Sequence, residues 1–537
     1  MDRRLFYNGK ILTMNDAAPY AEYVLTEGEK ILDVGSGQQA AQYLAGGAEP
    51  VDLQGRMMLP GFIDSHIHML TAALNRLKLD ISGMFFDTID SMLAYVKKEE
   101  EGVESSWISV FGFSEENIET GTMVTRTDID RYFPEVPVTI IRVCGHMSII
   151  NSKAIEKLDK NKMENITGGA FKKDAQGQYT GLATEGAQQY VLDTMPPARE
   201  ETVLEYLCSE QARLIQCGIT AIHDAGTDMM LPKTYVALYE KMNAQGLLKL
   251  RTSLMVRPGE DEPFESFDAY LQELKRQYAG GKGRLQIGAV KLFADGSLGS
   301  RTAAVMEPYV DEPENLGLLL KERIDRYAAQ AADAGHQVAV HAIGDRSARY
   351  AAEHYAASVG KGRGRLRIEH AELLNEELIS YIKENHILIM TQPIFIWEFG
   401  NTYFNNLGEE RAMWIQPLKT LLDHGVMVGF GTDYPVDAPD PLLGISSAMT
   451  RRIKGTDRLL NAEQGISFCQ AVKCYTLNNA YGAFCEASIG SIEKSKLADF
   501  VVLSGITPDE DGEVRSIENA AVDMTVIGGE IVYSRIH

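Results

Sequence analysis

Two histidines one residue apart, His66 and His68, close the stretch Pro60-Gly61-Phe62-Ile63-Asp64-Ser65-His66-Ile67-His68, which continues an apolar run from Met57 to Ile63. On a strand, alternate side chains share a face, so both imidazoles point the same way at its C-terminal end. Two imidazoles side by side form half a coordination shell for zinc or a similar ion. A polar strand end reads the same way, so further ligands must come from elsewhere in the chain. Four other apolar runs carry chemically capable residues at their ends: Lys291 in Val290-Lys291-Leu292-Phe293, His341 in Val340-His341, His370 in Ile368-Glu369-His370 and Asp433 in Gly431-Thr432-Asp433. Each has an ordinary role alone: His370 capping its strand, Asp433 as a helix N-cap, Lys291 extending its amine from an apolar strand. Four histidines, a lysine and an aspartate, all converging at strand ends, are much harder to account for by ordinary roles.

The elements that must position them recur as one unit: an amphipathic helix, a glycine or polar stop, then an apolar strand. Thr202 to Cys217 is such a helix, stopped by Gly218 and followed by Ile219-Thr220-Ala221-Ile222-His223-Asp224. Glu322 to Ala334 with Gly335, and Leu418 to His424 with Gly425, repeat the scheme. The spacing predicts eight strands, at about 60–68, 219–224, 249–257, 285–293, 336–341, 365–370, 386–391 and 426–433. Near-continuous apolar strands alternating with helices form a parallel sheet covered on its outside. Eight such units predict an α/β fold of the (β/α)8 TIM-barrel type, with reacting groups at the C-terminal strand ends. A doubly wound open sheet is the alternative, but no Gly-x-Gly-x-x-Gly turn follows the first strand.

Both chain ends read as short strands and turns, including Arg4 to Thr13 around Asn8-Gly9, Lys30 to Val34, Ala498 to Leu503 and the hairpin about Gly528-Gly529. Neither end buries two faces alone, so residues 1–57 and 485–537 are expected to complete one small β-sandwich around a barrel domain of 58–484. Between the first two barrel strands lies an insertion at about 100–200 with strand patterns of its own, at 107–113 and 136–143, and a hairpin region about Gly168-Gly169 and Gly177 to Gly181. Loops of this kind emerge at the barrel mouth, where the insertion is expected to lie.

The 537 residues carry 52 basic and 75 acidic side chains, a formal net charge of −23. That balance argues against a nucleic-acid partner, which needs clustered Lys and Arg. No run of about 18 uncharged apolar residues is present to span a membrane. The opening Met1-Asp2-Arg3-Arg4 lacks a signal-peptide pattern, and the six cysteines, from Cys144 to Cys485, include no Cys-x-x-Cys pair. A cytoplasmic protein with reduced thiols, self-associated and acting on a small molecule, is the expectation.

The ordered set PGFIDSHIH, VKLFADGSLGSRTA, HAIGD, RIEHAE and GTDYPV resembles the amidohydrolase superfamily, in the amidohydrolase-3 branch that includes N-substituted formamide deformylases and other metal-dependent hydrolases. The resemblance extends to GHMSIINSKAI in the insertion and KLADFVVL near the C-terminus. It implies a centre of one or two divalent ions held by His66, His68, Lys291, His341, His370 and Asp433. A lysine ammonium has no lone pair, so Lys291 ligates only once neutralised or converted by CO2 to a carbamate. Zn2+ suits the histidine-rich set. The implied reaction is hydrolysis of a non-peptide C–N bond by metal-activated hydroxide, with Asp433 as catalytic proton shuttle. Deamination or cyclic-amide hydrolysis on the same centre is the alternative enzyme reading, and a catalytically silent scaffold is the alternative outside catalysis. His146 and Arg301 are candidates to touch substrate, although Cys144 stands where relatives show an aspartate and Arg301 has a structural reading. His223 is expected to make hydrogen bonds at the rim.

Overall fold

The computed structural model describes residues 3–37, 39–101, 106–142, 147–166, 169–196, 198–226, 232–259, 262–279, 283–359, 364–508 and 513–535. Two compact units result, Met1–Thr71 with Leu207–His537, and Ala72–Tyr206.

The first unit contains the barrel. Its parallel strands are Phe62–Ile67, Ile219–Asp224, Arg251–Val256, Leu285–Phe293, Val338–Ala342, Arg367–His370, Leu388–Thr391 and Val428–Phe430, here called the first to the eighth. They pair in chain order from first to eighth, so the expected eightfold barrel is present. Helices cover the sheet with their apolar faces: Phe264–Gln277 buries Phe267, Leu271 and Leu274, and Glu322–Asp333 buries Ile324, Tyr327, Ala328 and Ala331. Asn375 caps Glu376–Glu384, its side chain accepting from the Leu378 amide.

The first and eighth strands meet through individual hydrogen bonds. The Asp433 amide donates to the His66 carbonyl at 2.8 Å and the His68 amide to the Tyr434 carbonyl at 2.8 Å. The buried Asp64 carboxylate accepts from the Thr432 hydroxyl at 2.6 Å and from the amides of Thr432 and His66 at 3.1 and 3.0 Å. Gly431 permits this approach: a Cβ there would lie 2.7 Å from the His66 nitrogen and 2.9 Å from an Asp64 oxygen.

Both chain ends join in one hydrogen-bonded sheet of eight strands. Arg3–Leu12, from the N-terminal end, pairs in parallel with Met57–Pro60, and Met57–Pro60 pairs antiparallel with Phe500–Ser504. The two ends share a core, in which Phe6, Val24 and Ile31 pack with Phe500, Met524 and Val526. Arg4 Nη1 reaches the Gly529 carbonyl of the last hairpin at 2.6 Å. Residues 57–60, which read as the approach to the first barrel strand, belong to this sheet. The hand-over falls at Gly61, whose amide donates to Asp499 in the terminal segment while the next amide, of Phe62, donates to Gly218 beside the second barrel strand. The proline at 60 ends one ladder, and the absence of a side chain at 61 admits Thr220, 2.3 Å from where a Cβ would be.

The second unit has its own six-stranded sheet, in the order Gly169–Lys173, Tyr179–Glu185, Met147–Ile150, Val138–Arg142, Ile108–Phe113, Leu79–Asp80. Its core, built on Met92, Leu93, Val110, Ile129 and Ile140, draws on helix Ile89–Glu99, so the unit begins before the strand-rich stretch legible in the sequence. Among the described residues no helix is long and apolar enough to cross a membrane.

Gly431→Ala should lower stability by about 1–3 kcal/mol through overpacking at the barrel seam, read as a fall in the urea midpoint. Gly299→Ala, with nothing within 4 Å of the added Cβ, should leave that midpoint unchanged; equal effects would remove the seam as the cause.

Candidate metal centre

His66 and His68 do share a face. Their Nε2 atoms lie 3.6 and 3.2 Å from one atom, Asp433 Oδ1, and the ligand atoms of the three residues fall within 4.8 Å of one another. Lys291, buried in the fourth strand, puts Nζ 3.2 Å from His66 Nε2. The His370 ring lies 4.7 Å from that of His66 and 4.4 Å from that of His341. All six residues singled out as ligands therefore converge, His341 and His370 just beyond the tight trio. Two are held by unusual backbone: His370 has φ 71° and Asp433 φ 57°, a left-handed region costly for residues with a Cβ.

The hydrogen-bond acceptors fix which imidazole nitrogens carry protons. His66 Nδ1 meets Glu369 Oε2 at 2.5 Å, His68 Nδ1 the Gly226 carbonyl at 2.7 Å and His370 Nδ1 the Gln392 Oε1 at 2.8 Å. His341 is reversed, its Nε2 meeting the Gly296 carbonyl at 2.9 Å. Lone pairs are left on Nε2 of His66, His68 and His370 and on Nδ1 of His341. Burial, then the charge of Lys291, pushes His66 far below the ordinary histidine value and His341 to about 3; burial, then His341, does the same to His370. These three rings are neutral at neutral pH, the form that binds metal.

His68 departs from that pattern. Burial lowers its pKa, but the Asp433 carboxylate more than offsets this and raises it overall. Asp433 Oδ1 itself is buried and takes no hydrogen bond. Two lone pairs 3.2 Å apart with an orphaned carboxylate oxygen between imidazoles need a cation, supplied by a proton or by a metal ion. The mixed nitrogen and oxygen donors fit a divalent ion. Lys291 is also prepared: burial brings its amine down to about 8 against the pull of Glu369 and Asp433, so it loses its proton more readily than an exposed lysine.

Behind the ligands is a buried polar layer absent from the sequence-based candidates. Arg367 Nε and Nη2 donate to Glu369 Oε1 and Oε2 at 2.6 and 3.0 Å, and Nη2 also to the Ser65 carbonyl at 2.8 Å. Burial raises the Glu369 pKa, but Arg367 and Lys291 outweigh it and the group stays ionised below its ordinary range. Its Oε2 thereby holds the His66 proton on Nδ1. The available signal was alternation: Arg367 and Glu369, two apart on the sixth strand, share a face. Asp295, following the fourth strand, accepts from the amides of Ile343, Ala304 and Gly344 at 2.9–3.0 Å and from Ser347 Oγ at 2.5 Å, and lies 3.5 Å from His341 Nε2. Burial pushes Asp295 up to about 6 and Asp64 up to about 7.

His223, expected to bond at the rim, is buried inside the barrel with Nδ1 3.1 Å from Arg367 Nη1. Burial, then Arg367, takes its pKa to about 3. Arg301 is engaged by Glu312 at 2.6 Å, Asn406 at 3.1 Å and Asp311 at 3.6 Å, the structural pairing its sequence context also allowed. His146 and Cys144 lie outside the described residues.

The amidohydrolase family model matches residues 49–533. The YtcJ protein of Bacillus subtilis (strain 168) is 32% identical over 548 residues, covering 99% of this chain and 100% of that one. N-substituted formamide deformylase of Arthrobacter pascens is 24% identical over 542 residues, with 99% and 98% covered. Among solved structures, an uncharacterized metal-dependent hydrolase from Pyrococcus furiosus superposes with a TM-score of 0.75 at 27% identity, covering 93% of this chain and 98% of that one. With the barrel and a family match over nine-tenths of its length, the chain belongs to the amidohydrolase family.

Proposed function

We propose that the protein is a metal-dependent hydrolase that cleaves a non-peptide carbon–nitrogen bond of a small amide, with N-substituted formamides as the first class to test. The observation that carries the reading is the convergence of the Nε2 atoms of His66 and His68 on the buried, orphaned Oδ1 of Asp433. The formamide class is taken from the Arthrobacter pascens relative, which is similar over the whole chain.

His66, His68, His341, His370 and Asp433 would hold one or two divalent ions, Zn2+ by ligand type, with Lys291 joining as a carbamate. Such an ion lowers the pKa of water to about 7 and polarises a carbonyl oxygen. The remaining work falls to the chain. Asp433 Oδ1, free of hydrogen bonds, accepts the proton of the attacking water and returns it to the leaving nitrogen. Its position is set beforehand by the backbone bonds from the Asp433 amide to His66 and from the Val436 amide to Asp433, both 2.8 Å. Glu369, held by Arg367, keeps the His66 proton on Nδ1, so Nε2 faces the site with its lone pair.

Metal content of protein purified without chelators, followed by assay of N-substituted formamides against acetamides and dipeptides, tests the reading. Activity that survives complete metal removal, or cleavage confined to dipeptides, would sink it. Asp433→Asn should reduce turnover by about 10²–10⁴-fold with the unfolding midpoint largely kept; a variant of normal rate takes Asp433 out of the mechanism. Glu369→Gln should weaken metal binding by roughly 10–100-fold, as loss of a ligand-orienting partner does, in a chelator competition; unchanged affinity would reduce Glu369 to a core residue. Lys291→Ala should lower metal loading, with short carboxylic acids restoring it, whereas full loading without them excludes a bridging carbamate.

A further inference from the structure

The metal centre occupies the C-terminal strand ends, and a cavity of about 470 Å3 lies toward the other end of the barrel. Arg251 and Leu285, the first residues of the third and fourth strands, line it together with parts of the segment 483–497, and it extends along the second strand to His223. None of the six candidate ligands lines it. The buried wall residue His223 takes Arg367 at its Nδ1, which separates this cavity from the centre by a filled layer of the barrel.

Part of the lining is apolar, from Ile222, Ile287, Ile489 and Leu497, and three cations face the same space, Arg251, Lys275 and Arg284. Two of them are well partnered. Arg251 makes a two-pronged bond to Asp499 at 2.6 and 3.0 Å, and Lys275 Nζ donates to His336 Nδ1 at 2.8 Å. Arg284 is not matched in this way. Its Nη1 donates to the Lys249 carbonyl at 3.0 Å, and the carboxylate near it, Glu29, stands 3.6 Å from Nη2 with a largely exposed side chain. Burial, then the like charge of Arg251, push the Arg284 guanidinium below its ordinary value against the pull of Asp499, Glu29 and Glu530. Size and lining are those of a small-molecule site, apolar with a few placed polar groups, and Arg284, with no carboxylate closer than 3.6 Å, is the group placed to meet an anion.

We propose that this cavity binds a small organic anion, a carboxylate on an apolar body, with Arg284 meeting the carboxylate and Ile222, Ile287 and Leu497 enclosing the body. The site is independent of the hydrolytic reading and stands or falls without it.

Benzoate is the probe, with benzamide as the uncharged molecule of like shape, each titrated calorimetrically into the full-length, metal-stripped protein. Benzoate should bind saturably at one per chain and benzamide at least about tenfold more weakly. Arg284→Gln should weaken benzoate by at least about tenfold, the loss expected for one charge-assisted hydrogen bond, while Arg284→Lys, which keeps the charge, recovers most of it. Asp433→Asn should bind benzoate as the parent does. Absence of saturable binding, equal binding of benzamide, or unchanged affinity in a folded Arg284→Gln protein overturns the site. Binding that appears only when metal is restored also overturns it, because the carboxylate is then at the metal centre.

Discussion

Arg367 and Glu369 face each other inside the barrel, closed off from solvent, and the arrangement of the candidate centre depends on that pair. Removing two charges from water costs several kcal/mol each, and only good geometry with every remaining donor and acceptor engaged offsets it. Both oxygens of Glu369 are used, each by one arm of the guanidinium, and Oε2 also by His66. The guanidinium spends its remaining reach on Ser65 of the first strand and His223 of the second. One side chain thus ties the sixth strand to the first and second across the barrel interior. An aliphatic core would fill the same space, but it would leave the proton of His66 unassigned and its free nitrogen undirected.

The same logic governs the seam between the first and eighth strands. Asp64 spans it with bonds to Thr432 and His66, and Gly431 lets the strands approach. Immediately beyond it the backbone turns into the left-handed region at Asp433, as it does at His370 on the sixth strand. Such residues cost of order 1–3 kcal/mol each and persist only where neighbours over-determine them. Here the Asp433 amide is held by His66, and the Ala371 amide by Ala342 and Glu369. The strain turns two side chains toward the ligands of the first strand, which regular strand alternation would not have done for His370, next in sequence to the inward-facing Glu369.

Much of the fold was legible because its signals are local. Apolar runs, helix faces and the glycine or polar stop after a helix predict all eight barrel strands within a few residues, and the paired ends of the chain predict a shared terminal core. Residues 57–60 read differently in the structure because periodicity cannot say which of two sheets will take up a strand's hydrogen bonds; the partners of Gly61 and Phe62 decide that. The beginning of the second unit was missed for a related reason. Helix Ile89–Glu99 packs on strands that follow it in the chain, and a helix alone does not reveal its core.

For the candidate site, the sequence by itself determined the residue types and their approximate positions, since His66, His68, Lys291, His341, His370 and Asp433 each lie at or near the end of an apolar run and parallel strands bring such ends together. The tertiary structure decided which nitrogen of each ring is free, because that depends on acceptors distant in the chain: Glu369, Gly226, Gln392 and Gly296. It also decided the fate of the charges. Arg301 pairs with Glu312 rather than standing free, and Arg367 is the buried cation that keeps Glu369 ionised. A residue's type fixes what it can donate or accept, whereas burial and the partner across the barrel fix which of those capacities remains for chemistry.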